Sequence, residues 1–270
     1  MEVTWAEDDL NELRRAVHLL EDVSFIAKVS NLIGEPIEKI IDFLPSSTSG
    51  KITDIVNAAL RKALRVALAT LDLSAKDTPS NLRHKIAVGA SGAVGGAFGL
   101  PALAVELPIS TTIMLRSIAD IARSQGEGLG SLPGQLECLL VFALGSPSES
   151  DDASKSVYFA ARAGLAAAMQ SAARYIASHG LGDATAPPIV RLLAQIASRF
   201  GSVVAEKVAA FGVPVLGAVG GATINVLLMD HFQDIATGHF IVRRLERTYG
   251  SDEVRRKYDK IHGAKRSTDS

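Results

Sequence analysis

The sequence predicts an all-α fold, a multi-helix bundle, and three observations carry that expectation. Apolar residues recur three and four apart through most of the chain, which is the period of a helix with one buried face. No run of alternating apolar and polar residues is long enough to make a half-buried strand. Hydrophobic residues make up 47% of the 270 positions while aromatics make up only 5%, so the apolar mass is Ala, Leu, Val, Ile and Gly. Side chains that small suit close helix–helix approach better than strand-paired aromatic cores.

Taken in order, Trp5 to about Ser30 shows the first stripe, through Leu10, Leu13, Val17 and Leu20. "GEP" at Gly34 to Pro36 punctuates it, with Pro36 placed to open a short second helix. Lys51 to Leu71 repeats the stripe through Ile52, Ile55, Val56, Ala59, Leu60, Ala63, Leu64, Ala67 and Leu71, with Lys51, Asp54, Arg61, Lys62 and Arg65 opposite. Further helices are expected at about 79–98, 100–125, 132–144, 152–178, 187–211, 213–249 and 251–260. "DTPSN", "QGEGLGSLPG", "GSPSESDD" and "HGLGDATAPP" separate them as breakers. The organisation is then an N-terminal helical region over 1–78, a helical core over 79–262 and a disordered tail over 263–270.

The hexamer "GAVGGA" occurs at Gly92 to Ala97 and again at Gly217 to Ala222. With a one-residue gap the following stretches also correspond: Glu106 matches Asp230, Arg123 matches Arg247, and Gly126 matches Gly250. This suggests two copies of one Gly-rich helical hairpin, packed pseudo-symmetrically. Gly89, Gly92, Gly95, Gly96 and Gly99 never supply the G-x-G of a dinucleotide loop. "PSSTSGKIT" lacks both the first glycine and the Ser/Thr of a P-loop, so Ser49 is read as the cap of the 51–71 helix. On a helix, Gly92/Gly96, Gly95/Gly99 and Gly217/Gly221 are G-x-x-x-G pairs, whose grooves admit another backbone or acyl chains. The contact surface expected from this reading is Gly92, Gly95, Gly96, Gly99, Pro101 and Pro108 in the first copy. Pro214, Gly217, Gly220 and Gly221 supply it in the second.

Ile86–Val105 and Val208–Met229 contain no charged residue, and each is about long enough to cross a bilayer. Arg83, Lys85 and Lys207 precede these runs, and Glu106 and Asp230 follow them, so the positive-inside tendency would orient both alike. No suitable return pass lies between, which favours hairpins that dip into or dock against a membrane over simple spans. In the C-terminal region Arg243, Arg244, Arg247, Arg255, Arg256, Lys257 and Lys260 offer either an anionic-leaflet contact or a solvated face.

These residues resemble the EcsC protein family. The resemblance is strongest over 80–126 and 208–258. It is carried by "LPALAVELPISTTIMLRSIADIARSQG" and "VPVLGAVGGATINVLLMDHFQDIATGHFIVRRLERTYG". It implies a bacterial-type, non-catalytic protein, the family being named after a gene neighbouring an ABC transporter involved in secretion. "ARSQGEGLG" departs from the pattern, which usually has an aromatic residue just before that glycine.

A net charge of −1 supplies no field to draw in nucleic acid, and none is expected as a partner. The lone Cys138 excludes an internal disulfide and fits a reducing compartment. The acidic opening "MEVTWAEDDL" lacks the features of a signal peptide. The expected location is cytoplasmic, peripheral to or partly inserted in the membrane. The expected role is accessory or regulatory, without cofactor, through contact with lipid, a membrane protein or another copy of the chain. The richest polar cluster is "MDHFQDIATGHF": Asp230, His231 and Asp234 are helix neighbours, and Glu106 joins them if the repeat is a pseudo-dyad. Their competing reading is a metal-dependent hydrolase, against wetted groups at the mouth of the bundle. Asn225 is assigned an inter-helix hydrogen bond, His239 a packed surface position, and Cys138 the core. Ser91 in "GASGA" lacks the final glycine and the preceding sheet of a nucleophile elbow.

Overall fold

A computed structural model describes residues 4–21, 25–33, 46–70, 100–145, 156–180, 185–211 and 217–266. Among them the chain is helical and contains no strand. The helices are α1 (Glu7–Glu21), α2 (Phe25–Ile33), α3 (Ser46–Thr70), α4 (Leu100–Ser124), α5 (Leu132–Leu144), α6 (Val157–His179), α7 (Pro187–Phe211), α8 (Gly217–Tyr249) and α9 (Ser251–Arg266).

Local chemistry sets these borders. Glu7, Asp8 and Asp9 open α1, where carboxylates favour the positive end of the helix dipole. Ser131 caps α5 by accepting from the Gly134 amide, with Pro133 in the first turn. Ser156 caps α6 in the same way through the Phe159 amide, 3.2 Å away. α4 ends in a Schellman motif, with Gly126 N–H bonding Arg123 O at 2.9 Å and Glu127 N–H bonding Ala122 O at 2.9 Å. Gly126 has φ of 72°, a left-handed conformation that residues with a Cβ adopt only at a cost.

The expected stripes are the core. Ile52, Val56, Ala59, Leu60, Ala63, Leu64 and Ala67 of α3 are buried, while Lys51, Asp54, Lys62 and Arg65 face out. α5 is buried almost all round, as an apolar helix surrounded by α3, α4, α6, α7 and α8 must be. Phe142, Phe200 and Phe232 interlock at its centre, with ring centroids 5.0–5.5 Å apart. Cys138 lies in this core as expected, and burial pushes its thiol pKa up.

Contacts along α8 fix the topology. Asn225, Gln233 and Arg243 meet Glu106, Ser117 and Glu127 in turn, so α4 and α8 run side by side and parallel. α1 runs antiparallel to α8, from Asp9 beside Arg244 to Leu20 beside Gly238. A Cβ on Gly238 would sit 2.7 Å from Leu20 Cγ and 3.2 Å from the Ala16 carbonyl, so only glycine lets these helices approach so closely.

Three expectations change. The single helix expected over 5–30 is two elements, α1 ending at Glu21 and α2 beginning at Phe25. Ser49 does not cap the third helix, which starts at Ser46 and places Ser49 inside its first turn. α9 continues to Arg266, so the first residues of the expected tail are helical. The uncharged run Val208–Met229 is divided between α7 and α8, as the helices expected over 187–211 and 213–249 require. Lys207 and Asn225 both reach Glu106, whereas one straight helix would hold them about 27 Å apart. The chain therefore reverses direction between them.

Candidate functional site

Glu106, Lys207 and Asn225 converge from α4, α7 and α8 at one end of the bundle. Lys207 Nζ donates to Glu106 Oε2 at 2.6 Å, and Asn225 Nδ2 donates to Glu106 Oε1 at 2.8 Å. Burial is nearly complete, with Lys207 at 0%, Glu106 at 4% and Asn225 at 1% exposure. Burial pulls the Lys207 ammonium below its ordinary pKa, and the Glu106 charge and hydrogen bond oppose that pull. An ammonium and a carboxylate so deep survive only as a hydrogen-bonded pair, because either alone would carry a large desolvation cost. The two charges that flank the uncharged runs in the sequence thus neutralise one another across 101 positions.

Beyond this pair the end of the bundle is apolar. No charged residue lies over 100–105 in α4, 208–211 in α7 or 217–224 in α8. Glu106 points inward with Leu103 and Leu107, while its neighbours Ala104, Val105 and Ile109 face solvent. Val105 is 66% and Ile109 41% exposed, large values for aliphatic side chains. Pro108 lies inside α4, where it has no N–H to offer the Ala104 carbonyl. Just after the break, Ser110 Oγ donates to Leu107 O at 3.2 Å and Thr112 Oγ1 to Pro108 O at 2.7 Å, adding side-chain donors to carbonyls of the helix.

The opposite end is dense in charge. Glu127 accepts from Arg243 at 2.7 and 3.0 Å and from Arg247 at 2.6 Å. Arg243 also pairs with Glu137 at 3.0 Å, and Arg244 with Asp9 at 2.9 Å. Deeper in, Arg162 binds Glu246 through both nitrogens at 2.8 and 3.1 Å and donates to the Tyr158 hydroxyl at 3.1 Å. That hydroxyl lies 3.0 Å from His239 Nδ1, and His239 Nε2 lies 3.1 Å from Glu137 Oε2. The partners assign the roles: Tyr158 donates to Nδ1, and Nε2–H donates to the carboxylate. Burial lowers the His239 pKa despite Glu137, so the ring is neutral. Burial raises the Glu137 carboxyl, but the His239 hydrogen bond and the charges of Arg243 and Arg162 outweigh it and hold it low. His239, expected at the surface, is instead at 0% exposure in the centre of this network.

The expected acidic/histidine cluster is dispersed. His231 Nε2 donates to the Gly145 carbonyl at 2.7 Å, closing the C-terminal end of α5, and burial drives its pKa down to about 4. Asp234 turns outward to Lys28 at 2.8 Å. Asp230 is half-buried on α8, and of the expected polar group only Glu106 and Asn225 meet. The neighbours on the helix are separated by their partners: His231 turns inward to the Gly145 carbonyl, and Asp234 pairs with Lys28 at the surface. Among the described residues no three His, Cys, Asp or Glu side chains are placed to hold a metal ion. Asn225 makes the inter-helix bond its place in an apolar run requires. Pro101 is in the first turn of α4, and Gly217, Gly220 and Gly221 are in the first turns of α8, with Gly221 buried. Gly92, Gly95, Gly96, Gly99 and Pro214 lie outside the described residues, as does Pro36.

The model of the EcsC protein family matches residues 7–245. The chain belongs to the EcsC protein family. The match begins in α1 and ends in α8, so the EcsC unit includes the helices before residue 78 as well as those after it. Glu106, Lys207 and Asn225, the proline break, and the Arg162, Tyr158, His239 and Glu137 contacts of this EcsC chain all fall inside the matched span. No curated protein and no solved structure matches the chain.

The Arg162–Tyr158–His239–Glu137 relay was missed in the sequence, although it left a trace. Glu137 is the only charge in "LECLLVFAL", and a lone charge in a buried helix demands a partner.

Proposed function

We propose that this EcsC-family protein binds a lipid surface with the end of the bundle where α4 begins, α7 ends and α8 begins, and that it serves there as a non-catalytic accessory protein. The observation that carries the reading is the outward apolar face of α4, Val105 and Ile109, beside segments without charge. Exposed aliphatic surface costs free energy in water, at about 25 cal/mol per Å², and burial among acyl chains recovers it. The molecule is polarised to match, with its ion-pair networks gathered at the far end.

Length alone is weaker support. Ala102–Ser124 is long and apolar enough to cross a membrane, yet 56% of its window is buried in the bundle, as a core helix would be. Docking by one end therefore fits better than spanning. Electrostatic attraction comes from α3, which packs on α4 and α7 and turns Lys51, Lys62 and Arg65 outward. Arg243, Arg244 and Arg247, the basic group the sequence offered for that purpose, are committed to Glu127, Glu137 and Asp9.

Co-sedimentation with vesicles of phosphatidylglycerol and phosphatidylethanolamine tests the reading. The protein is expected to pellet, and the double substitution V105D/I109D to abolish pelleting while leaving helicity unchanged. Equal pelleting of both proteins would overturn it, and failure of both to pellet would point to a protein partner instead.

A further inference from the structure

The first two turns of α4 carry an unusual combination. They are pinned by one buried ion pair, bounded by a proline, and apolar on both faces. Glu106 is the only charged side chain between Leu100 and Thr112. Its carboxylate is held by Lys207 at 2.6 Å and Asn225 at 2.8 Å, which ties α4 to the end of α7 and the start of α8. Two residues on, Pro108 removes the hydrogen bond that would join the turn at Ala104 to the rest of the helix. Ser110 and Thr112 then turn their hydroxyls to Leu107 O and Pro108 O, a pattern that bends helices. C-terminal to this break, α4 is held by the Ser117–Gln233 bond and by a Schellman motif whose Glu127 is clamped by two arginines. Among the described residues, the helix is thus held by several polar bonds beyond the break, and before it by one charge cluster together with the packing of Leu103 and Leu107.

We propose that Glu106, Lys207 and Asn225 form a latch, that Pro108 is the hinge it acts across, and that opening the latch, with a proton passing from Lys207 Nζ to the Glu106 carboxylate so that neither group is left charged, lets residues 100–107 leave the bundle and enter acyl chains. The proposal rests on the membrane reading for its destination but not for its mechanics. In the closed form Val105 and Ile109 meet the lipid surface while Leu103 and Leu107 pack inward. In the open form Leu103 and Leu107 follow Val105 out, so docking becomes insertion. An ion pair suits the purpose because it is net neutral while closed, and its strength depends steeply on geometry. Lys207 is the partner left behind, and Asn225 is the group that aligns the carboxylate toward it.

Two measurements test this, and they fail separately. Amide hydrogen exchange on the free protein needs no lipid. E106Q is expected to speed exchange over 100–107 by tenfold or more, with 112–124 unchanged. P108A, which restores the missing amide, is expected to slow exchange over 100–107 in both backgrounds. Uniform change along α4, or none in either variant, overturns the latch whatever the protein binds. For the second measurement, a fluorophore is placed on V105C in a C138A background, with bilayer-embedded nitroxide lipid as quencher in phosphatidylglycerol and phosphatidylethanolamine vesicles. E106Q is expected to raise quenching at least twofold without changing the pelleted fraction. Pelleting with identical quenching in both proteins overturns the latch and spares the docking reading. Absence of pelleting with the exchange pattern intact overturns the docking reading and spares the latch.

Discussion

Lys207 Nζ lies 2.6 Å from Glu106 Oε2, and neither side chain reaches solvent. Removing one partner strands the other as an uncompensated charge in the core, whereas removing both leaves only packing to repair. Glu106→Leu or Lys207→Met alone is expected to cost about 3–5 kcal/mol, and the double substitution close to zero. Urea denaturation of the three variants gives the comparison. Additive losses in the double variant would show that the charges do not act as a pair.

Acid is expected to destabilise the fold well before its carboxylates titrate. His231 falls from an ordinary 6.5 to about 4 because burial disfavours its charged form. Below pH 6.5 the unfolded chain therefore takes up a proton that the folded chain refuses, and stability falls as the pH falls toward 4. The loss is about 1.4 kcal/mol per pH unit inside that window. His239 is lowered in the same direction and adds to it. Glu127 and Glu137 are held low, so their contribution is lost only below about pH 4.5 and stays separable. His231→Gln keeps a donor for the Gly145 carbonyl and should remove roughly 2 kcal/mol of the difference between pH 7 and pH 5. An unchanged difference would contradict the assignment.

At Gly238 the backbone of α8 almost touches α1. Gly238→Ala brings a methyl group to 2.7 Å from Leu20 Cγ and is expected to cost about 1–3 kcal/mol through overpacking. Leu20→Ala in the same chain should recover part of that loss, since it clears the colliding atoms. Thermal melts of the single and double variants decide the point, and no recovery would place the strain elsewhere.

Tyr158 links Arg162 to His239 by one hydroxyl. Tyr158→Phe keeps the ring stacked on Tyr258 at 5.8 Å but leaves His239 Nδ1 without its donor. A loss of about 1–3 kcal/mol is expected, as for other unsatisfied buried acceptors. A stability equal to the parent's would mean that water takes the place of the hydroxyl.

Much of the architecture was legible residue by residue. The α3 stripe from Ile52 to Ala67, the borders of α5 and α7, and the breaker at Gly126 follow from side-chain period, capping and turn chemistry. All of these act over a few positions. The misjudgements came where local signals compete. Ser49 looked like a cap, but Ser46 begins the same helix a turn earlier, and α1 and α2 are separate elements where periodicity alone runs one stripe together. His239, two turns along from His231, was assigned a packed surface position, yet partners on α5 and α6 draw it inward.

What the chain determines by itself is therefore its helices, their apolar faces and the run of uncharged residues beside a few isolated charges. Which charge meets which was decided only by the tertiary structure. Glu106 and Asp230 each follow an uncharged run in the sequence, yet one is locked to Lys207 in the core and the other is half-buried on α8. Helix formation is governed by hydrogen bonds four residues apart. A buried ion pair depends on distances of a few ångströms between positions a hundred residues apart, and no local pattern encodes that.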